Sequence, residues 1–140
     1  MTELPKLEDF PVKDFDKIRY GDTDRQGHVN NAVFSTLFET GRTSLLSHSD
    51  GNAWKDGQYS YVIARIELDY RAELFWPGIV DIGSGIKSIG NSSMVLSQAL
   101  YQGGKCAATA VTVMVQLDKQ TNRPAPLTPE AREVLEGFMV

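Results

Sequence analysis

One long apolar stripe followed by an unbroken run of strands limits this chain more than any other feature. Apolar residues fall at Val33, Phe34, Leu37, Phe38, Leu45 and Leu46. Spacings of three and four put them on one face of a helix. Asn30 stands where its side chain can accept a first-turn N–H, so the helix is expected from there to about His48. Gly41 interrupts it at about 1 kcal/mol relative to Ala. It either lets the helix come close to a sheet or is merely tolerated.

A first strand is expected at residues 10–19, before the helix. Residues 49–58 read as a loop, on the turn sequences Ser49-Asp-Gly-Asn and Lys55-Asp-Gly. Four strands follow at 59–71, 78–89, 93–101 and 107–117. Only Ile89-Gly-Asn and Gln102-Gly-Gly-Lys separate the last three. Connections that short imply antiparallel pairing. Thr128 and Pro129 fit the cap and first position of a short terminal helix. The order therefore predicts an α+β fold, a five-stranded antiparallel sheet against one long helix. With 140 residues it forms one domain over 1–140, its polar residues 1–9 loosely ordered. Such a sheet has open edges that invite a second copy.

Composition closes off other classes. A net charge of -4 and a pI near 5.1 oppose a nucleic-acid binder. No stretch reaches the ~20 apolar residues of a membrane span, and the N-terminus lacks an apolar signal core. A cytoplasmic protein with no membrane or nucleic-acid partner is the resulting expectation. Cys106 is the one cysteine, so neither an intrachain disulfide nor a cysteine cage for metal can form. Set among Ala107, Ala108 and Ala110, it reads as a packed thiol.

The chemistry concentrates just before the helix. Asp22, Asp24, Gly27 and His28 lie in a polar loop, and Asn30-Asn31 open the helix. A carboxylate can attack an activated acyl group or deprotonate a water. Partial burial would raise its basicity. A helix start supplies unpaired N–H donors and partial positive charge for a developing oxyanion. Gly27 suits a backbone conformation closed to other residues. Asp22 reads as a shaper of the loop. Asp22, Asp24 and His28 could meet at a cation, but the chemistry calls for neither metal nor cofactor. Glu39 and Arg42 are three apart on one helix face and are expected to pair. His48 reads as a surface residue at the helix end.

The segment Tyr20-Gly-Asp-Thr-Asp24-Arg-Gln-Gly27-His28-Val29-Asn30-Asn31, followed by Phe38-Glu-Thr-Gly-Arg42, closely resembles the hotdog-fold acyl-CoA thioesterases of the 4-hydroxybenzoyl-CoA thioesterase-like group. Ser92-Ser93 after a Gly-Asn turn, and the stretch from Val115 to Pro124, extend the likeness over most of the chain. The resemblance implies a helix held in a curled antiparallel sheet. It also implies protomers joined through that sheet as a homodimer or homotetramer, and hydrolysis of an acyl-CoA substrate.

By position it makes Asp24 the catalytic carboxylate and the Asn31 main-chain N–H the oxyanion donor, with His28 beside them. Gly27, Val29, Asn30, Tyr70, Arg71, Ser92 and Ser93 are then expected around the substrate. Arg65, Arg71, Lys87 and Lys105 are candidates for the CoA phosphates. The family's basic residues before the Ser-Ser pair are replaced here by Gly90-Asn91. Phe34, Phe38, Tyr61, Tyr70, Phe75 and Trp76 either line an acyl tunnel or form plain core. Two other readings compete: a module that holds a thioester without turnover, and an enoyl-thioester hydratase. The intact Asp24 loop opposes the first. No Asp/His hydration motif is found for the second.

Overall fold

The computed structural model describes residues 3–48 and 57–140. Strand β1 spans Val12–Lys17, and helix α1 runs Asn31–His48. Then come β2 (Tyr59–Tyr70), β3 (Ile79–Ile89), β4 (Ser93–Gln102) and β5 (Lys105–Asp118). A two-residue strand β6 (Arg123–Pro124) and helix α2 (Pro129–Glu136) complete the chain. All pairings are antiparallel, in the order β1-β3-β4-β5-β2. The five expected strands are all present. The sixth arises where Leu117 and Asp118 pair back onto Pro124 and Arg123. Of the expected loop at 49–58, residues 49–56 lie outside the described residues.

Helix α1 lies chiefly over β1, β3 and β4. Its predicted stripe is the buried one: Phe34, Leu37, Phe38, Leu45 and Leu46 are all 4% exposed or less. They meet Val80, Ile82 and Ile86 of β3 and Met94, Leu96 and Leu100 of β4. Each large side chain so buried contributes about 1.5–3 kcal/mol. Gly41 faces the sheet at its closest approach. A Cβ there would stand 2.6 Å from Gln98 Nε2 and Ser84 Oγ, and 2.7 Å from Ile82 Cγ2. Close contact, not tolerance, explains this glycine. Beside it the buried Gln98 amide donates to the Phe38 carbonyl at 3.0 Å and to Ser84 Oγ at 2.9 Å.

The described part of the N-terminal segment lies against the sheet. Leu7–Asp9 form a 3-10 turn, Phe10 is buried against Ala99 and Tyr101, and the Tyr101 hydroxyl donates to the Pro5 carbonyl. Apolar Leu7 and Phe10 supply the packing of a stretch whose neighbours are polar. The terminal helix and the cysteine are as expected. Thr128 Oγ1 accepts from the Ala131 N–H at 3.1 Å, with Pro129 opening α2. Cys106 is half-buried, and burial pushes its thiol up.

The link from β1 to α1 is pinned by Asp22. Its carboxylate accepts from the Arg19 N–H at 2.8 Å and from Arg19 Nη2 at 3.0 Å. Burial pushes this carboxyl up, but the Arg19 N–H and guanidinium together outweigh that and hold it below its ordinary value.

Two outcomes follow from this packing. Gly41→Ala should lower the denaturant midpoint, because overpacking of about 1–3 kcal/mol exceeds the roughly 1 kcal/mol gained in helix propensity. An unchanged or raised midpoint would contradict the close contact. Asp22→Asn should be less stable than wild type at neutral pH. A depressed folded-state value places that advantage above the unfolded carboxyl's pKa of about 3.9. The gap between the two proteins should therefore narrow as pH falls through the folded value, measured by urea unfolding across pH 3 to 7.

Candidate active site

The loop after Asp22 folds around Asp24. The Asp24 N–H donates to the His28 carbonyl at 2.8 Å, and the Gly27 N–H to the Asp24 carbonyl at 3.2 Å. Closing so tight a turn puts Gly27 at φ 82°, as anticipated from its type. Asp24 Oδ1 accepts from the N–H groups of Gln26 at 2.8 Å and His28 at 3.2 Å. Its Oδ2 accepts no hydrogen bond among the described residues. One oxygen thus fixes the carboxylate while the other stays available. Asp24 is exposed, without the partial burial expected of it.

The helix start lies immediately beyond. Asn30 Oδ1 accepts from the Ala32 N–H at 2.9 Å, and the Asn30 carbonyl accepts from the Val33 N–H at 2.9 Å. The Asn30 N–H is used by the Asp22 carbonyl at 2.8 Å. Capping therefore occupies the Asn30 side chain expected near the substrate. Among the described residues, the Asn31 N–H is left with no partner. Val29, also expected at the substrate, is instead 1% exposed in the core, and its N–H donates to the Leu74 carbonyl.

Tyr70, at the end of β2, donates its hydroxyl to the Asn31 carbonyl at 3.2 Å, and its ring stands edge-on to Phe34 at 5.1 Å. A cleft of about 230 Å³ opens here, lined by Asn31, Phe34, Tyr70, Arg71, Ala72 and Glu73. His28 is half-buried beside it, with Nδ1 3.5 Å from Glu73 Oε2 and its ring edge-on to Phe75 at 5.3 Å. The imidazole is thus a neighbour held by the β2–β3 connection. Glu73 carried no sequence signal: it is one exposed acid in a loop, brought to His28 by chain segments 45 positions apart.

Other expected residues scatter. Ser92 and Ser93 sit at the β3–β4 turn, where Ser93 pairs with Val115. Tyr70 pairs with Ala108 on the same strand β5. Seven residues of extended strand separate those positions, roughly 23 Å, so one chain does not bring the serines to Asn31. Arg65 pairs with Glu67, and Lys87 is an exposed residue of β3. Glu39 and Arg42 do not form an ion pair within 4.0 Å among the described residues. Arg42 is 5% exposed. Burial lowers its guanidinium, and exposed Glu39 only partly opposes that. Of the aromatics, Phe34 and Phe38 are core, whereas Tyr70, Phe75 and Trp76 are exposed.

Comparison with known proteins bears on the family and the fold. The thioesterase-like superfamily profile matches residues 18–135. The chain is 30% identical over 126 residues to the long-chain acyl-CoA thioesterase FadM of Escherichia coli K12, covering 88% of this chain and 96% of that one. A Thermus thermophilus thioesterase crystallised with coenzyme A and zinc is 32% identical, with TM-score 0.82 over 92% of this chain and 94% of that one. A Pseudomonas aeruginosa protein superposes with TM-score 0.86 at 26% identity, over 96% of both chains. The curled antiparallel sheet around α1 is the hotdog fold, and the chain belongs to the thioesterase-like superfamily.

Proposed function

We propose that this protein hydrolyses acyl-CoA thioesters to a free acid and CoA. The observation carrying this is the pairing of an oriented, accessible carboxylate at Asp24 with an unpartnered N–H at Asn31, seven residues on and at a helix start. In the general-base form, Asp24 takes a proton from water as the hydroxide adds to the thioester carbon. In the nucleophilic form, Asp24 adds directly and water later cleaves the anhydride. Either way the carbonyl oxygen becomes an oxyanion that the Asn31 N–H receives. Such a donor contributes about 3 kcal/mol to lowering a barrier. Collapse breaks the C–S bond: in the general-base form the proton held by Asp24 passes to the departing thiolate, and in the nucleophilic form the thiolate is protonated from the water that later cleaves the anhydride. Asp24→Asn keeps the Oδ1 acceptor but loses the base. It should lower kcat on acyl-CoA by about 10²-fold or more, read with a thiol-trapping reagent, while the unfolding midpoint holds. Full activity in Asp24→Asn would sink the mechanism.

We further propose that the working form is a homodimer or larger homo-oligomer, in the cytosol. Strand β2 is a sheet edge. Ile63 and Ile66 pair with Met114 and Thr112, so they face the helix side, yet they are 44% and 40% exposed. The register shift between Ile63 and Arg65 keeps both on that face. Antiparallel pairing of two such edges would cover them and bring Ser92 and Ser93 of a second copy toward the Asn31 end. It would also exclude water from around Asp24. Ile66→Lys should shift the protein toward monomer by light scattering and reduce activity in step. A wild type that is monomeric at micromolar concentration would overturn this assembly.

A further inference from the structure

Resting on the thioesterase reading, we infer that the cleft beyond Asn31 continues into a subsite for an anionic oxygen group of the substrate, held by Arg71 and Lys105. A second hollow of about 320 Å³ is lined by Arg71, Ala72, Glu73, Phe75, Gln102 and Lys105 among others. It shares Arg71, Ala72 and Glu73 with the cleft at Asn31. The two hollows therefore adjoin, with one wall in common.

Its cations are placed by the fold. Lys105 opens β5 directly after Gly103 and Gly104, whose φ values of 58° and 80° close the β4–β5 turn. No ion pair or hydrogen bond engages its ammonium among the described residues. The Arg71 N–H is fixed on the Ala107 carbonyl at 2.8 Å, and Nε donates to Thr109 Oγ1 at 3.2 Å. Nη2 stands 3.6 Å from Asp69, whereas Nη1 has no partner among the described residues. Glu73, the acid in the hollow, is the one turned to His28. Gln102 is already used, accepting from the Phe75 N–H at 3.0 Å and donating to its carbonyl at 2.9 Å, which holds Phe75 as a wall.

An ammonium and a guanidinium edge thus meet one hollow with donors to spare, and the positive end of α1 lies in the adjoining cleft. That chemistry suits a carboxylate or a phosphate. The carboxylate would belong to the acyl chain, and the phosphate to the CoA.

The test uses the full-length protein and its Arg71→Ala/Lys105→Ala double variant on three substrates. These are an acyl-CoA, the same acyl group on pantetheine, and a pantetheine thioester whose acyl chain ends in a carboxylate. Loss of at least 10-fold in kcat/KM on acyl-CoA, relative to neutral acyl-pantetheine, assigns the subsite to phosphate. The same relative loss confined to the carboxylate-ended thioester assigns it to the acyl chain. Restoration by Arg71→Lys/Lys105→Arg separates charge from folding. Equal effects on all three substrates, or none, overturn the inference. Failure of the wild type to cleave any of the three refutes the thioesterase reading itself.

Discussion

The approach of α1 to the sheet at Gly41 is the contact on which the rest depends. Any side chain there would push Gln98, Ser84 and Ile82 aside or lift the helix off β3 and β4, since a Cβ would stand within 2.7 Å of all three. At the low position the Gln98 amide reaches the Phe38 carbonyl, so the helix is fixed along its axis as well as in height. The gap on either side is filled by Phe34, Phe38, Leu45 and Leu46. Interiors packed to this density resist small shifts. The position of the helix start is therefore inherited from a contact ten residues further along.

Everything reactive hangs from that start. The Asp22 carbonyl and the Leu74 carbonyl hold the N–H groups of Asn30 and Val29, joining the loop to α1 and to the β2–β3 connection. Asp24 is steered by main-chain donors of its own turn and needs no side-chain partner. Enclosure raises basicity and strengthens each hydrogen bond to the oxyanion. The uncovered apolar face of β2 ends at Tyr70, beside Asn31. The uncovered face of β2 and the candidate site thus lie at the same end of the molecule.

Much of this was legible in the residues. The helix, its buried face and the strand order follow from periodicity and turn residues, because those signals are local. Gly27 and the Thr128 cap were readable for the same reason. Where the reading went astray, a longer-range effect intervened. Val29 stood in the loop by its position, yet its side chain is drawn into the core against residues far along the chain. Glu39 and Arg42 share a face in an isolated helix, but packing buries Arg42 and leaves Glu39 outside. Leu7 and Phe10 found a docking site on Ala99 and Tyr101 that no neighbour in the chain foretold.

The sequence by itself determined an α+β chain with one amphipathic helix and a carboxylate loop at its head. Spacing and residue type carry that information over a few positions at a time. Tertiary structure alone decided that Glu73 meets His28, that Tyr70 touches the Asn31 carbonyl and that Arg71 and Lys105 share a hollow. It also decided that Ser92 and Ser93 lie a strand's length away from Asn31. Those relations are set by strand register and by how near the helix comes to the sheet, and both arise from packing between residues tens of positions apart.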